Sequence, residues 1–149
     1  MTRRLFTLFL FAVLIIPTVL LSACSSSQSN EGEAVHMAAA SAMPEYVKQA
    51  PQRVRDAYRF AHANPDVLEQ IPCYCGCGPM GHRSNYACFW QEDKSVDYHG
   101  LGCGICVDIA HDVMNGLKQG RQLAEIRAQV DADYSRFGPP TDTPLVSRE

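Results

Sequence analysis

The chain has 149 residues, 46% of them hydrophobic, with 13 Lys and Arg against 16 Asp and Glu and a formal net charge of −3. That balance argues against a basic nucleic-acid-binding surface, so nucleic acid is not an expected partner. Seven cysteines in so short a chain point instead to cross-linking or metal chemistry.

The N-terminus has three parts. Arg3 and Arg4 form a cationic head, Leu5 to Leu21 is an uncharged apolar run, and Leu21-Ser22-Ala23-Cys24 closes it with small residues before a cysteine. Together they make an export signal. A membrane-spanning helix fits less well, because the run is at the short limit for spanning and Pro17 interrupts it. The junction resembles the lipobox of bacterial lipoproteins, whose cysteine is diacylated and becomes the first mature residue. The resemblance implies a signal peptide over 1–23, lipidation at Cys24, and a place in the bacterial cell envelope, membrane-anchored and facing outside the cytoplasm. Two acyl chains suffice for stable anchoring where one is marginal. Thr2-Arg3-Arg4-Leu5-Phe6 also resembles a twin-arginine export signal, although the short head and strongly apolar core are more usual in general secretion.

Residues 24–43 are rich in Ser, Gln, Gly and Ala and offer little to bury, which predicts a flexible tether with His36 and Met37 solvated in it. Residues 44–138 are then expected as one small domain, helped by cross-links or metal because a core this size is only marginally self-sufficient. Pro44 and Pro51 suit the first positions of helices. Val54, Ala57, Tyr58 and Ala61 share one helical face. Asn64-Pro65 breaks that helix, and Pro65 starts a turn carrying Val67, Leu68 and Ile71. Residues 72–82, with Pro72, Gly76, Gly78, Pro79 and Gly81, read as irregular. Ser84 or Asn85 is expected to cap a short helix through Trp90. A longer helix is expected from Cys103 to Lys118. A last one carries Leu123, Ile126, Val130, Tyr134 and Phe137 as an apolar stripe. Gly138-Pro139-Pro140 ends it, and 139–149 read as a disordered tail. With no strand pattern, the fold class is all-α: a small bundle of short helices around an irregular cysteine-rich loop.

Six cysteines follow Cys24: Cys73, Cys75, Cys77, Cys88, Cys103 and Cys106. In extended chain the first three point to one side, and Gly76 and Gly78 let the backbone curl so that their sulfurs converge. Neighbouring Cys-x-Cys thiols fit disulfide geometry badly. On the helix, Cys106 and Met114 fall within about 80° of each other, on the face of Val107, Ala110 and Leu117. Cys103 and Cys106 lie in its first turn, where the helix dipole favours thiolate. His111 lies about 140° from Cys106 and is a poor co-ligand. His82, His99, Met80 and Met114 are further candidate ligands or supporting donors, with Met114 also suited to core packing.

Pro72-Cys73-Tyr74-Cys75-Gly76-Cys77-Gly78, then Gly81-His82, Cys88, the Cys103–Cys106 pair, and Glu125-Ile126-Arg127 before Tyr134 resemble the bacterial PCYCGC-motif lipoproteins. The likeness spans about residues 44 to 138. It supports the grouping of these residues and implies no particular chemistry.

Three functions compete. Six thiolates with Met and His nearby suit Cu(I), since soft sulfur ligands select it, for buffering or delivery to a metal-donating or metal-accepting partner protein. Zn²⁺ is the alternative metal, four cysteines making one tetrahedral site. Three disulfides stapling an exported helical module form the second reading. The third is a thiol–disulfide oxidoreductase using Cys103 and Cys106, although the strand that normally precedes such a motif is missing. No hydrolytic machinery accompanies the cysteines, so no enzyme is expected.

Overall fold

The structure, a computed structural model, describes residues 35–146. The expected signal peptide, Cys24, the expected tether up to residue 34 and the last three residues lie outside that range. Six α-helices are present among the described residues: α1 (Glu45–Lys48), α2 (Gln52–Ala63), α3 (Pro65–Leu68), α4 (His99–Gly102), α5 (Gly104–Lys118) and α6 (Leu123–Tyr134). Four 3-10 turns join them, at Ala40–Ala42, Gly78–Met80, Tyr86–Cys88 and Ser135–Phe137. No strand occurs among the described residues; Trp90 and Val96 form one isolated antiparallel bridge. The fold is all-α.

Helix α5 lies between α2 and α6 and buries Cys106, Val107, Ile109, Ala110, Val113, Met114 and Leu117. Helix α2 meets it with Ala57, Tyr58, Phe60 and Ala61, and α6 with Ile126, Val130 and Tyr134. These sets follow helical spacing, so each helix buries one stripe. Gly116 lets α6 approach closely: a Cβ there would lie 2.6 Å from Ile126 Cγ1. Just beyond the end of α5 stands Gly120, whose φ of +71° is left-handed. Gly120 N–H donates to Leu117 O and Arg121 N–H to Gly116 O, so two terminal carbonyls are satisfied.

Several boundaries differ from the sequence expectation. Pro44 and Pro51 stand just before their helices rather than at the first helical position. Cys103 is the cap residue of α5, not its first turn. Asn85 precedes only a 3-10 turn and makes no capping bond; it is buried, and its Nδ2 donates to Cys106 O at 3.2 Å. Phe137 leaves the α6 stripe and is 48% exposed, because α6 ends at Tyr134 and the tighter turn that follows rotates later side chains away.

Both expected flexible ends are corrected where they are described. Residues 35–43 run along α2. Ala38 N–H donates to Arg59 O, Arg59 Nε donates to Ala38 O, and Met43 is buried. Residues 139–146 cross the cysteine loop. Thr141 N–H donates to Cys73 O at 3.0 Å, and Cys73 N–H donates to Thr141 Oγ1 at 2.9 Å. Thr143 Oγ1 donates to Arg83 O, and Arg127 donates to Pro144 O. Neither segment is strongly apolar; paired backbone groups hold them, which composition does not reveal.

Candidate metal centre

Three pieces of chain supply the sulfurs. The first is the stretch from Pro72 to Cys77. Ile71 and Pro72 are buried at its start, and Asn85 N–H donates to Ile71 O at 2.7 Å. Tyr74 OH donates to Asp131 Oδ1 on α6 at 2.6 Å, so the side chain between two cysteines ties the loop to the frame. Gly76, at φ +81°, turns the chain in a conformation that residues with a Cβ seldom adopt, and Cys77 is brought back inward. The second piece is the turn Tyr86–Cys88, latched to α2 by aromatic packing. Tyr58 meets Phe89 edge-on at 5.0 Å, and Trp90 Nε1 donates to Tyr58 O. The third is Cys103 with the first turn of α5, which carries Cys106.

All six cysteines are free thiols, and no disulfide joins them. The Sγ atoms of Cys73, Cys75 and Cys106 form a triangle with sides of 3.3, 3.4 and 3.5 Å, although the sequence separates its corners by up to 33 residues. Cys77 Sγ lies 3.8 Å from Cys88 Sγ. A tetrahedral ion with thiolates at about 2.3 Å spaces its sulfurs about 3.8 Å apart. The Cys77–Cys88 separation equals that spacing, the triangle is tighter by about 0.3–0.5 Å, and none of these contacts is a disulfide bond.

Two histidines join them. Cys75 Sγ lies 3.2 Å from His99 Nε2. His82 packs edge-on against His99, ring centroids 5.2 Å apart. The donors fall into three overlapping sets, each with its ligand atoms within 4.8 Å of one another: Cys73, Cys75, Cys77 and Cys88; Cys75, His99, Cys103 and Cys106; and Cys77, His82, Cys88 and His99. The first is mostly buried. The second faces outward, since Cys75, His99 and Cys103 are half-buried. Cysteine and histidine groups so arranged could hold a soft metal ion.

The thiols do not ionise alike. Hydrogen bonds from Cys106 first, and from Cys73 next, hold the Cys75 thiol far below its ordinary range. The bond from Cys106 also lowers Cys73, to about 4. Cys106 and Cys88 are pushed up, chiefly by hydrogen bonding within the cluster. The same bonding, to Cys73 foremost, raises Cys77. Burial raises Cys103. Hydrogen bonding in the metal-free cluster thus favours the thiolate at Cys75 and Cys73 and the protonated thiol at their neighbours.

The remaining candidates lie elsewhere. Met114 is buried in the α5 core, while Met80 is 63% exposed beside the loop. His111 Nε2 is paired with Arg53 O at 2.8 Å, and His36 is exposed beside α2. Sequence reasoning missed Asp97 and Thr141. Asp97 Oδ2 faces His82 Nε2 at 3.4 Å, and its Oδ1 accepts the His99 N–H at 2.8 Å. The short Asp97-x-His99 spacing was the available signal, since Asp side chains bond backbone two residues on. Thr141 had none.

A family model described as protein of unknown function with PCYCGC motif matches residues 13–146. No curated protein and no solved structure matches the chain.

Proposed function

The chain belongs to the family of PCYCGC-motif proteins, whose function is unknown, and from the chemistry of the site we propose that it is an extracytoplasmic lipoprotein binding Cu(I) through its cysteines. The observation that carries this reading is the convergence of six reduced cysteines, three of them in one triangle of sulfur contacts. Soft, polarisable thiolates favour Cu(I) over hard cations, and bridging sulfurs let a few cysteines hold more than one ion. The half-buried set of Cys75, His99 and Cys103 gives an exchange face, and the buried set of Cys73, Cys77 and Cys88 gives a store. Buffering metal, or passing it between donor and acceptor proteins at the membrane surface, is the role this suits.

Catalytic thiol exchange is less well supported. An oxidoreductase needs an exposed cysteine with a depressed pKa, whereas burial raises Cys103 and Cys106 is fully buried. The anchoring rests on the lipobox-like Leu21-Ser22-Ala23-Cys24. Replacing Cys24 with Ala should release the protein from the membrane fraction or block its processing. For the metal, the protein is purified anaerobically with thiols reduced and titrated with Cu(I) against a competing chelator. Tight retention that is lost in Cys73→Ser and Cys106→Ser variants of unchanged helicity is the expected result. Failure to retain Cu(I) would end this reading.

A further inference from the structure

The Cu(I) reading leaves one histidine and a carboxylate, His82 and Asp97, unexplained. His82 is 8% exposed, and its Nε2 faces Asp97 Oδ2 at 3.4 Å. Its Nδ1 is buried and has no hydrogen-bond partner among the described residues. A buried polar atom left unpaired costs its full desolvation, so such atoms call for an explanation. The ligand atoms of Cys77, His82, Cys88 and His99 all fall within 4.8 Å of one another.

We propose that Cys77, His82, Cys88 and His99 form a two-nitrogen, two-sulfur site for a borderline divalent ion, Zn²⁺ foremost. Mixed imidazole and thiolate ligands suit Zn²⁺, whereas Cu(I) is drawn to the sulfur-only set. Charge points the same way. Two thiolates neutralise a divalent ion, while four would leave a net charge to bury.

Asp97 arranges the histidines. Its carboxylate facing Nε2 favours the tautomer with the proton there and the lone pair on Nδ1, as second-shell carboxylates do for zinc-ligating histidine. Its other oxygen accepts the His99 N–H, fixing the start of the turn that carries His99. Asp97 is itself held, since its N–H donates to Phe89 O and its carbonyl accepts Tyr58 OH at 2.6 Å. The new site shares Cys77 and Cys88 with the all-cysteine set. Filling it with Zn²⁺ therefore removes sulfurs from the store, and the two metals compete. The inference does not depend on the other metal being Cu(I).

The test uses the full chain in detergent, reduced and anaerobic, with Zn²⁺ itself as probe. X-ray absorption at the zinc edge should report two nitrogens and two sulfurs for the first equivalent. His82→Gln should weaken Zn²⁺ binding at least tenfold and leave Cu(I) retention unchanged. Asp97→Asn keeps the shape but turns an amide toward His82 or His99, so the tautomer or the turn suffers; about 10- to 100-fold weaker Zn²⁺ binding is expected. If His82→Gln loses helicity, Asp97→Asn answers the same question. Zn²⁺ bound by four sulfurs, or with unchanged affinity in the folded variants, overturns the proposal. Zn²⁺ bound through two nitrogens by a protein that retains no Cu(I) would sink only the function proposed above.

Discussion

The helical frame and the cysteine segment are held by different forces. In the frame, α2, α5 and α6 bury aliphatic and aromatic stripes, and hydrogen bonds are mostly internal to each helix. The stretch from Cys73 to Tyr98 has little regular structure and, beyond the packing of Phe89 and Trp90 against Tyr58, hangs on a few hydrogen bonds: Tyr74 to Asp131, Asn85 to Ile71 and Cys106, Tyr58 to Asp97, and Thr141 to Cys73. Apolar packing sums over many contacts. A single tie to a buried backbone group is local, and its loss costs about 1–3 kcal/mol without disturbing the rest. The frame should therefore fold in reduced, metal-free protein, while the segment depends on its ties and on metal.

The strongest way to break this contrast is at the frame. Phe60 is fully buried on α2. Phe60→Ala should cost about 3–5 kcal/mol, read as a lower urea midpoint, and the whole domain should weaken in one transition. Gly116→Ala tests the α5–α6 contact. Its Cβ would meet Ile126 side-chain carbons at 2.6 and 2.7 Å. Overpacking of this kind costs about 1–3 kcal/mol. A neutral result would mean that Ile126 has another rotamer free.

Those two positions also show what was legible in the sequence. Ala57, Tyr58, Ala61, Ile126 and Val130 were readable because helical periodicity is a local property. Gly116 was silent: a glycine inside a helix shows nothing of its opposite residue until the helices pack. The cysteine segment divides in the same way. Its irregularity followed from Gly and Pro, and the convergence of the sulfurs from their spacing. The fine assignments depended on long-range placement. Cys103 caps α5 instead of lying within it, His99 belongs to two ligand sets, and Asp97 stands behind both histidines. The strap at 139–146 was read as tail because Thr141 acts through backbone pairing, which carries no hydrophobic signature.

A smaller, local effect is expected from the strap. Thr141→Val keeps shape and burial but removes the oxygen that accepts Cys73 N–H. A buried donor left unpaired costs about 1–3 kcal/mol. Because Thr141 N–H still reaches Cys73 O, the loss should remain in the loop. Hydrogen exchange at the Cys73 amide should quicken, with protection in α5 unchanged. Equal loss of protection in both places would show loop and frame to be one cooperative unit.

The least perturbing test changes no residue and sharpens the contrast within the cluster. Cys75 is half-buried and its thiol is lowered by hydrogen bonds from Cys106 and Cys73, whereas Cys88 is fully buried and raised. An ordinary thiol has a pKa near 8.5, so its alkylation slows about tenfold for each pH unit below that value. With the Cys75 thiol held low, its rate in metal-free protein should stay nearly flat from about pH 8 to pH 6. Its absolute rate should be modest, because nucleophilicity falls with pKa. Cys88 should stay unlabelled until the domain unfolds. Folding linkage carries the matching sign. Cys73, lowered to about 4, contributes stability that is fully present above its unfolded pKa near 8.5 and is lost as the pH falls through the folded value. The raised thiols of Cys77, Cys88, Cys103 and Cys106 contribute stability below their unfolded pKa values and lose it as pH rises through the folded ones. These opposed terms leave the metal-free protein most stable between the two limits. Mass spectrometry of the alkylated protein, with peptides resolved cysteine by cysteine, reads the labelling order directly. A Cys75 rate that climbs tenfold per pH unit, or labelling of Cys88 ahead of it, would show that the negative charge does not reside where the hydrogen bonds place it.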